Sequence, residues 1–103
     1  MEGTELVAFN IIASVGTARS NYIGAIDAAA AGNYEEAAQL IKEGEEAFTG
    51  GHSAHGELLT KMAQGEKVEM TLLLTHAEDQ LMSAEAFGIL ANKFLELYKK
   101  VNG

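Results

Sequence analysis

Apolar positions recur at intervals of three and four along almost the whole chain, the periodicity of helices rather than strands. From Thr4 to Ala31 two such stripes run side by side. One holds Leu6, Phe9, Ala13, Gly16, Ser20 and Ile23, the other Ala8, Ile11, Ile12, Val15, Ala18, Tyr22 and Ile26. Two stripes predict a helix covered on more than one side. Gly16 and Gly24 each cost about 1 kcal/mol relative to alanine in a helix interior, so they predict a bend or a close helix approach.

The first break is Ala31-Gly32-Asn33, where Gly32 suits a left-handed helix end and Asn33 a cap for the next helix. Glu36, three residues later, approximates a capping box. A second helix is predicted from Tyr34 to Gln64. Its seam is Tyr34, Ala37, Ile41, Gly44, Phe48, Gly51, His55, Leu58 and Met62, a heptad spacing that implies near-parallel packing against neighbours. The seam keeps phase across Thr49-Gly50-Gly51-His52-Ser53, so one continuous helix is expected despite the poor propensity of that stretch. After the second break, Gln64-Gly65-Glu66-Lys67, a third helix is predicted from Val68 to Val101, with Lys99 and Lys100 at the negative end of its dipole. Short connections between three long helices predict an all-α, up-down-up antiparallel bundle forming a single domain over residues 1–103.

The third helix has three faces. Leu74, Ala77, Leu81, Ala84, Gly88, Leu95 and Tyr98 form an apolar one. Glu78, Glu85, Glu96, Lys93 and Lys100 lie opposite, with Met82 and Ile89 among them. The remaining face mixes Leu72, Leu73, Phe87, Leu90 and Phe94 with the polar His76, Asp79, Gln80 and Ser83. A monomer would leave those five apolar residues in water, which soluble proteins seldom do. A homo-oligomer that buries this face is therefore expected.

Composition narrows the function classes. Proline and cysteine are absent, which favours long helices and excludes thiol catalysis, disulfides and thiolate metal sites. The net charge of −8 disfavours nucleic acid and anionic membranes and favours a basic protein partner. No apolar run reaches the ~18 residues of a membrane span, and the start Met1-Glu2-Gly3-Thr4-Glu5 lacks the positive region of a secretory signal. A cytoplasmic protein is the expectation.

Three histidines carry the candidate chemistry. His52 and His55 are three apart and make a metal pair conceivable, but a capping or core-edge role near the glycine-rich stretch is the reading favoured for them. Neither His-Glu-x-x-His nor a Glu-x-x-His pair of the di-iron type is present. His76 has Asp79 at i+3, Gln80 at i+4 and Ser83 at i+7, all on one face. A neutral imidazole there is a nucleophile whose second nitrogen a hydrogen bond can fix. The residues alone leave two readings open: a working histidine, or a satisfied polar cluster that sets register at an oligomer interface. Asp79 either pairs with His76 or converges on its symmetry mates, which would demand protonation or a cation.

The run Leu74-Thr75-His76-Ala77-Glu78-Asp79-Gln80-Leu81-Met82 resembles the pattern His-Ala-Gln-Asp-His-Leu-Met around the active histidine of the lactose/cellobiose IIA components of the sugar phosphotransferase system. Gly32-Asn33-Tyr34 followed by Ala37-Ala38, and Ala54-His55 followed by Leu58-Leu59, extend the resemblance along the chain. It implies a homotrimer of three-helix bundles. In it His76 accepts a phosphoryl group from HPr and passes it to a cysteine of a IIB protein, for a β-glucoside, lactose or related disaccharide entering through a IIC permease. It also implies that Asp79 meets its symmetry mates around a magnesium ion; Gln80 and Ser83, neutral groups on the same face as His76, are the candidates to contact the phosphoryl group. Glu78 and Gln80 depart from the pattern, standing where the family often has glutamine and histidine. Two rivals are a non-catalytic helical scaffold and a histidine phosphotransfer domain of a signalling relay. The latter usually sets a basic residue near its histidine, and no Lys or Arg lies between Lys67 and Lys93.

Overall fold

The computed structural model describes residues 3–102, which form α1 (Gly3–Ala30), α2 (Tyr34–Ala63) and α3 (Leu72–Asn102). Every pair of helices packs together, in a rod of 54 × 23 × 19 Å. Val15 faces Gly51 and Tyr22 faces Gly44, so α2 runs against α1. Tyr22 also meets Gly88, and Arg19 meets Gln80, so α3 runs with α1. The bundle is up-down-up, as the periodicity predicts.

Both helix ends that lead into loops close the same way. Gly32 and Gly65 take φ of 84° and 86°, a conformation that costs glycine no Cβ clash. The amides that follow fold back, Asn33 to the carbonyl of Ala28 at 2.8 Å and Glu66 to that of Lys61 at 3.0 Å. These are Schellman ends that satisfy carbonyls left over by the helix. The bond at Asn33 corrects the expected capping box. Asn33 holds the N-cap position of α2 but its side chain makes no capping bond, and its own amide is already committed to Ala28, leaving Glu36 no donor.

Helix α3 starts at Leu72 rather than Val68. Thr71 decides this: its Oγ1 accepts the Leu74 amide at 3.1 Å and its carbonyl accepts the Thr75 amide at 2.9 Å, the two bonds of an N-cap residue. Residues 66–71 are a non-helical connection.

The core is built largely from alanine, which lets the helix axes come close. One cluster gathers Ala18, Tyr22, Ala25, Ala29, Ala37, Ile41, Ala91 and Leu95 at the end nearer the first loop. The other gathers Ala8, Ile11, Val15, Leu58, Leu74, Ala77, Leu81 and Ala84. The close approaches fall at glycines other than those expected. A Cβ at Gly44 would lie 2.6 Å from the Tyr22 ring, one at Gly88 3.0 Å from its other edge, and one at Gly51 2.7 Å from Val15 Cγ1. Gly16 meets nothing within 4 Å, Gly24 makes only an ordinary contact with Leu40, and α1 is one helix throughout. The Gly50-Gly51 stretch thus serves packing, and α2 passes through it unbroken. Burial, and secondarily the Glu45 carboxylate, push the Tyr22 phenol above the ordinary tyrosine range.

Only one of the two α1 stripes is covered within the chain. Ala8, Ile11, Val15, Ala18 and Tyr22 are buried, whereas Leu6, Phe9 and Ile23 are exposed. The α3 surface is corrected in the same way. Leu73 and Phe87 pack against the core and Phe94 is half-buried. The exposed apolar stripe instead combines Leu72, at 86% exposure, and Leu90 with Met82, Ile89, Leu97 and Val101.

Candidate functional site

His76 lies on the second turn of α3, one turn past the Thr71 cap, with its side chain exposed. Leu74 and Ala77 on either side point into the core, and this anchoring turns His76 outward. Leu72, Leu73 and His76 line an open, mainly apolar depression. Asp79 is exposed, while Gln80 and Ser83 are half-buried. The four share a side of the helix, but no hydrogen bond joins His76 to Asp79, Gln80 or Ser83. Of the two readings of Asp79, the pairing with His76 across one turn does not form.

Gln80 has a partner that the spacing of residues on α3 could not reveal. Arg19 of α1 donates from Nη1 to Gln80 Oε1 at 2.9 Å. Its guanidinium also lies 5.3 Å from the centroid of the Phe87 ring, within cation–π range. A cation therefore stands against Gln80, the residue one helical turn from His76, even though no Lys or Arg lies between Lys67 and Lys93. The sequence argument against a signalling relay, drawn from that gap, fails on this point. The lone signal for Arg19 was its isolation as the one basic residue before Lys42.

The other two histidines are accounted for structurally. His55 Nδ1 lies 2.7 Å from Glu78 Oε1, a bond between α2 and α3 with both side chains about a quarter exposed. His52 meets the edge of Phe48, ring centroids 6.0 Å apart. Among the described residues no group of three or more His, Asp and Glu side chains could hold a metal ion. Neither the His52–His55 pair nor Asp79 therefore finds a further ligand of this kind among the described residues.

No helix among the described residues is long and apolar enough to cross a membrane. A histidine presented on a helix surface, without a phosphate-binding loop, suits transfer between proteins, because a docking partner completes the site.

Comparison with known proteins agrees with this geometry. Residues 6–99 match the family model for the lactose/cellobiose-specific IIA subunit of the phosphotransferase system. The chain is 40% identical over 100 residues to the lichenan-specific phosphotransferase enzyme IIA component of Bacillus subtilis, covering 97% of this chain and 91% of the relative. It is 36% identical over 99 residues to the lactose-specific EIIA component of Streptococcus mutans, covering 96% and 95%. The crystal structure of the cellobiose-specific enzyme IIA from Bacillus anthracis superposes with a TM-score of 0.94 at 37% identity, covering 99% of this chain and 94% of that one. With the motif around His76, the up-down-up bundle and matches over nearly its full length, the chain belongs to the lactose/cellobiose-specific IIA family of the sugar phosphotransferase system.

Proposed function

We propose that this chain is the phosphocarrier of a sugar phosphotransferase system, with His76 as the residue that carries the phosphoryl group. The observation that carries the reading is the state of His76. Of the three histidines it alone lies on the family's motif, and there it is exposed, without a hydrogen bond among the described residues, beside an apolar shelf on which a partner can dock. In the step proposed, the lone pair of a neutral His76 ring nitrogen forms a bond to phosphorus as the N–P bond of phosphorylated HPr breaks. The electron pair of that bond returns to the HPr imidazole. Onward transfer to a IIB cysteine forms an S–P bond and restores the pair to His76. Little covalent assistance is needed; alignment and stabilisation of charge do the catalysis.

The substrate class that fits is a β-glucoside, lactose or related disaccharide, taken up through a cognate IIC permease, with this chain in the cytoplasm. Relatives named for lactose and for lichenan span that class. We assign the exposed stripes of α1 and α3 away from the His76 shelf to the interface of a homotrimer, since leaving Leu6, Phe9, Ile89 and Leu97 in water would expose a large apolar surface. In that trimer three Asp79 carboxylates would meet near the axis. One chain alone offers a single oxygen-donor group, but three together form a hard ligand set that suits magnesium completed by water. Such an ion would offset the repulsion of the carboxylates; the transfer step does not pass through it.

A pulse-chase experiment tests the onward step. The phosphorylated chain, freed of HPr, should lose its label to a IIB protein and not to the same protein with its cysteine changed to serine. Retention of the label by this chain in both cases would contradict the assignment.

A further inference from the structure

Arg19 is poorly explained as a structural residue. It is half-buried between α1 and α3, yet it pairs with no Asp or Glu among the described residues, where the ion pairs are His55–Glu78 and Lys93–Glu96. Its Nε is buried without a hydrogen-bond partner. Its two contacts are the Gln80 amide oxygen and the face of Phe87. A part-buried charge with no counter-charge is unfavourable unless something negative arrives to meet it.

The bond to Gln80 fixes a direction. A guanidinium has only N–H donors, so the amide atom facing it must be the oxygen. The Gln80 NH2 then occupies the other branch of the planar amide, turned away from Arg19. His76 is one helical turn away, about 5–6 Å between Cβ atoms. A phosphoryl group on His76 carries only acceptor oxygens. The NH2 branch attracts it; an amide flipped to present its oxygen would repel it. Donation from a cation to the amide oxygen also polarises the amide and strengthens its N–H groups as donors.

We propose that Arg19 is a positioning residue for phosphoryl transfer: it holds Gln80 by the amide oxygen and so presents the Gln80 NH2 to the phosphoryl group on His76. Phe87 keeps the guanidinium in place from below. The proposal rests on His76 as the phosphorylated residue. Gln80 moves no proton: its N–H stays bonded to nitrogen while the N–P bond of the donor breaks and that to His76 forms.

The test measures the kinetics of labelling from phosphorylated HPr for the wild type, Arg19→Met, Gln80→Ala and the double variant, each checked for helicity by circular dichroism. Each single substitution should lower kcat about 100-fold, the lower end of the effect of one lost hydrogen bond to a developing charge, with KM for HPr unchanged. Because Arg19 acts through Gln80, the double variant should be no slower than the slower single one. Arg19→Met at the wild-type rate, or single effects that multiply in the double variant, would overturn the proposal. A second readout needs no variant: in the wild-type chain the side-chain NH2 resonances of Gln80 should shift when His76 is phosphorylated, and unmoved resonances would overturn it too. A wild-type chain that never takes the label defeats the assignment of His76 itself, which is a different result from any of these.

Discussion

Gly51 of α2 lies so close to Val15 of α1 that a Cβ on it would sit 2.7 Å from Val15 Cγ1, with the Ile11 carbonyl oxygen 3.6 Å away. The glycine is there to let two helices touch, and the stretch that looks weakest in propensity is therefore among the least replaceable. Gly51→Ala should destabilise the fold by about 1–3 kcal/mol through overpacking. Gly56, five residues on in the same helix, has nothing within 4 Å of its Cβ position. Gly56→Ala should instead stabilise by about 0.5–1 kcal/mol, the helix-propensity gain. Thermal denaturation of the two variants should move in opposite directions; a common direction would refute this account of the α1–α2 contact.

Tyr22, wedged between Gly44 and Gly88, makes stability depend on alkaline pH. Its phenol is raised in the folded state by burial first and by Glu45 second, while the unfolded chain ionises near about pH 10. Below that value both states hold the proton and the stability is fully present. As pH rises, the unfolded state releases its proton first, so stability is lost through the folded value. The urea midpoint of the wild type should fall as the pH rises above about 10, and Tyr22→Phe should flatten that fall. Parallel profiles would remove Tyr22 as its cause.

The exposed apolar stripe of α3 gives the assembly its test. Light scattering should return the mass of three chains. The pair Ile89→Glu and Leu97→Glu, both at positions at least half exposed in the single chain, should return one chain with helicity kept. For the axial carboxylates, chelation by EDTA should lower the melting midpoint of the wild type and leave that of Asp79→Leu unmoved. A monomeric wild type would contradict the interface, and equal responses to EDTA would contradict the axial ion.

Much of this was legible in the residues. The spacing of apolar positions placed all three helices, one buried stripe on each, and the continuity of α2 across Gly50-Gly51. What it missed has two physical causes. Local chemistry overrode periodicity where α3 begins: Val68 and Met70 continue the apolar pattern, but the Thr71 hydroxyl caps the helix and sets its start. Elsewhere the missing information lay on another helix. Phe87 and Leu73 read as exposed from α3 alone because the rest of the core, against which they pack, does not enter a helical projection. Arg19 and Gln80 are 61 residues apart in sequence, and no one-helix pattern predicts that they meet. His76, by contrast, stood out through its motif, since the chemistry and its neighbours share one short stretch.

The central claim is that His76, and no other residue, carries the phosphoryl group. Incubated with phosphoenolpyruvate, enzyme I and HPr, the chain should gain one adduct per protomer that is labile to acid and stable to base. His52→Ala and His55→Ala should take it as the wild type does, and His76→Ala should take none. Labelling of His76→Ala, or a wild type that stays unlabelled, would contradict the account.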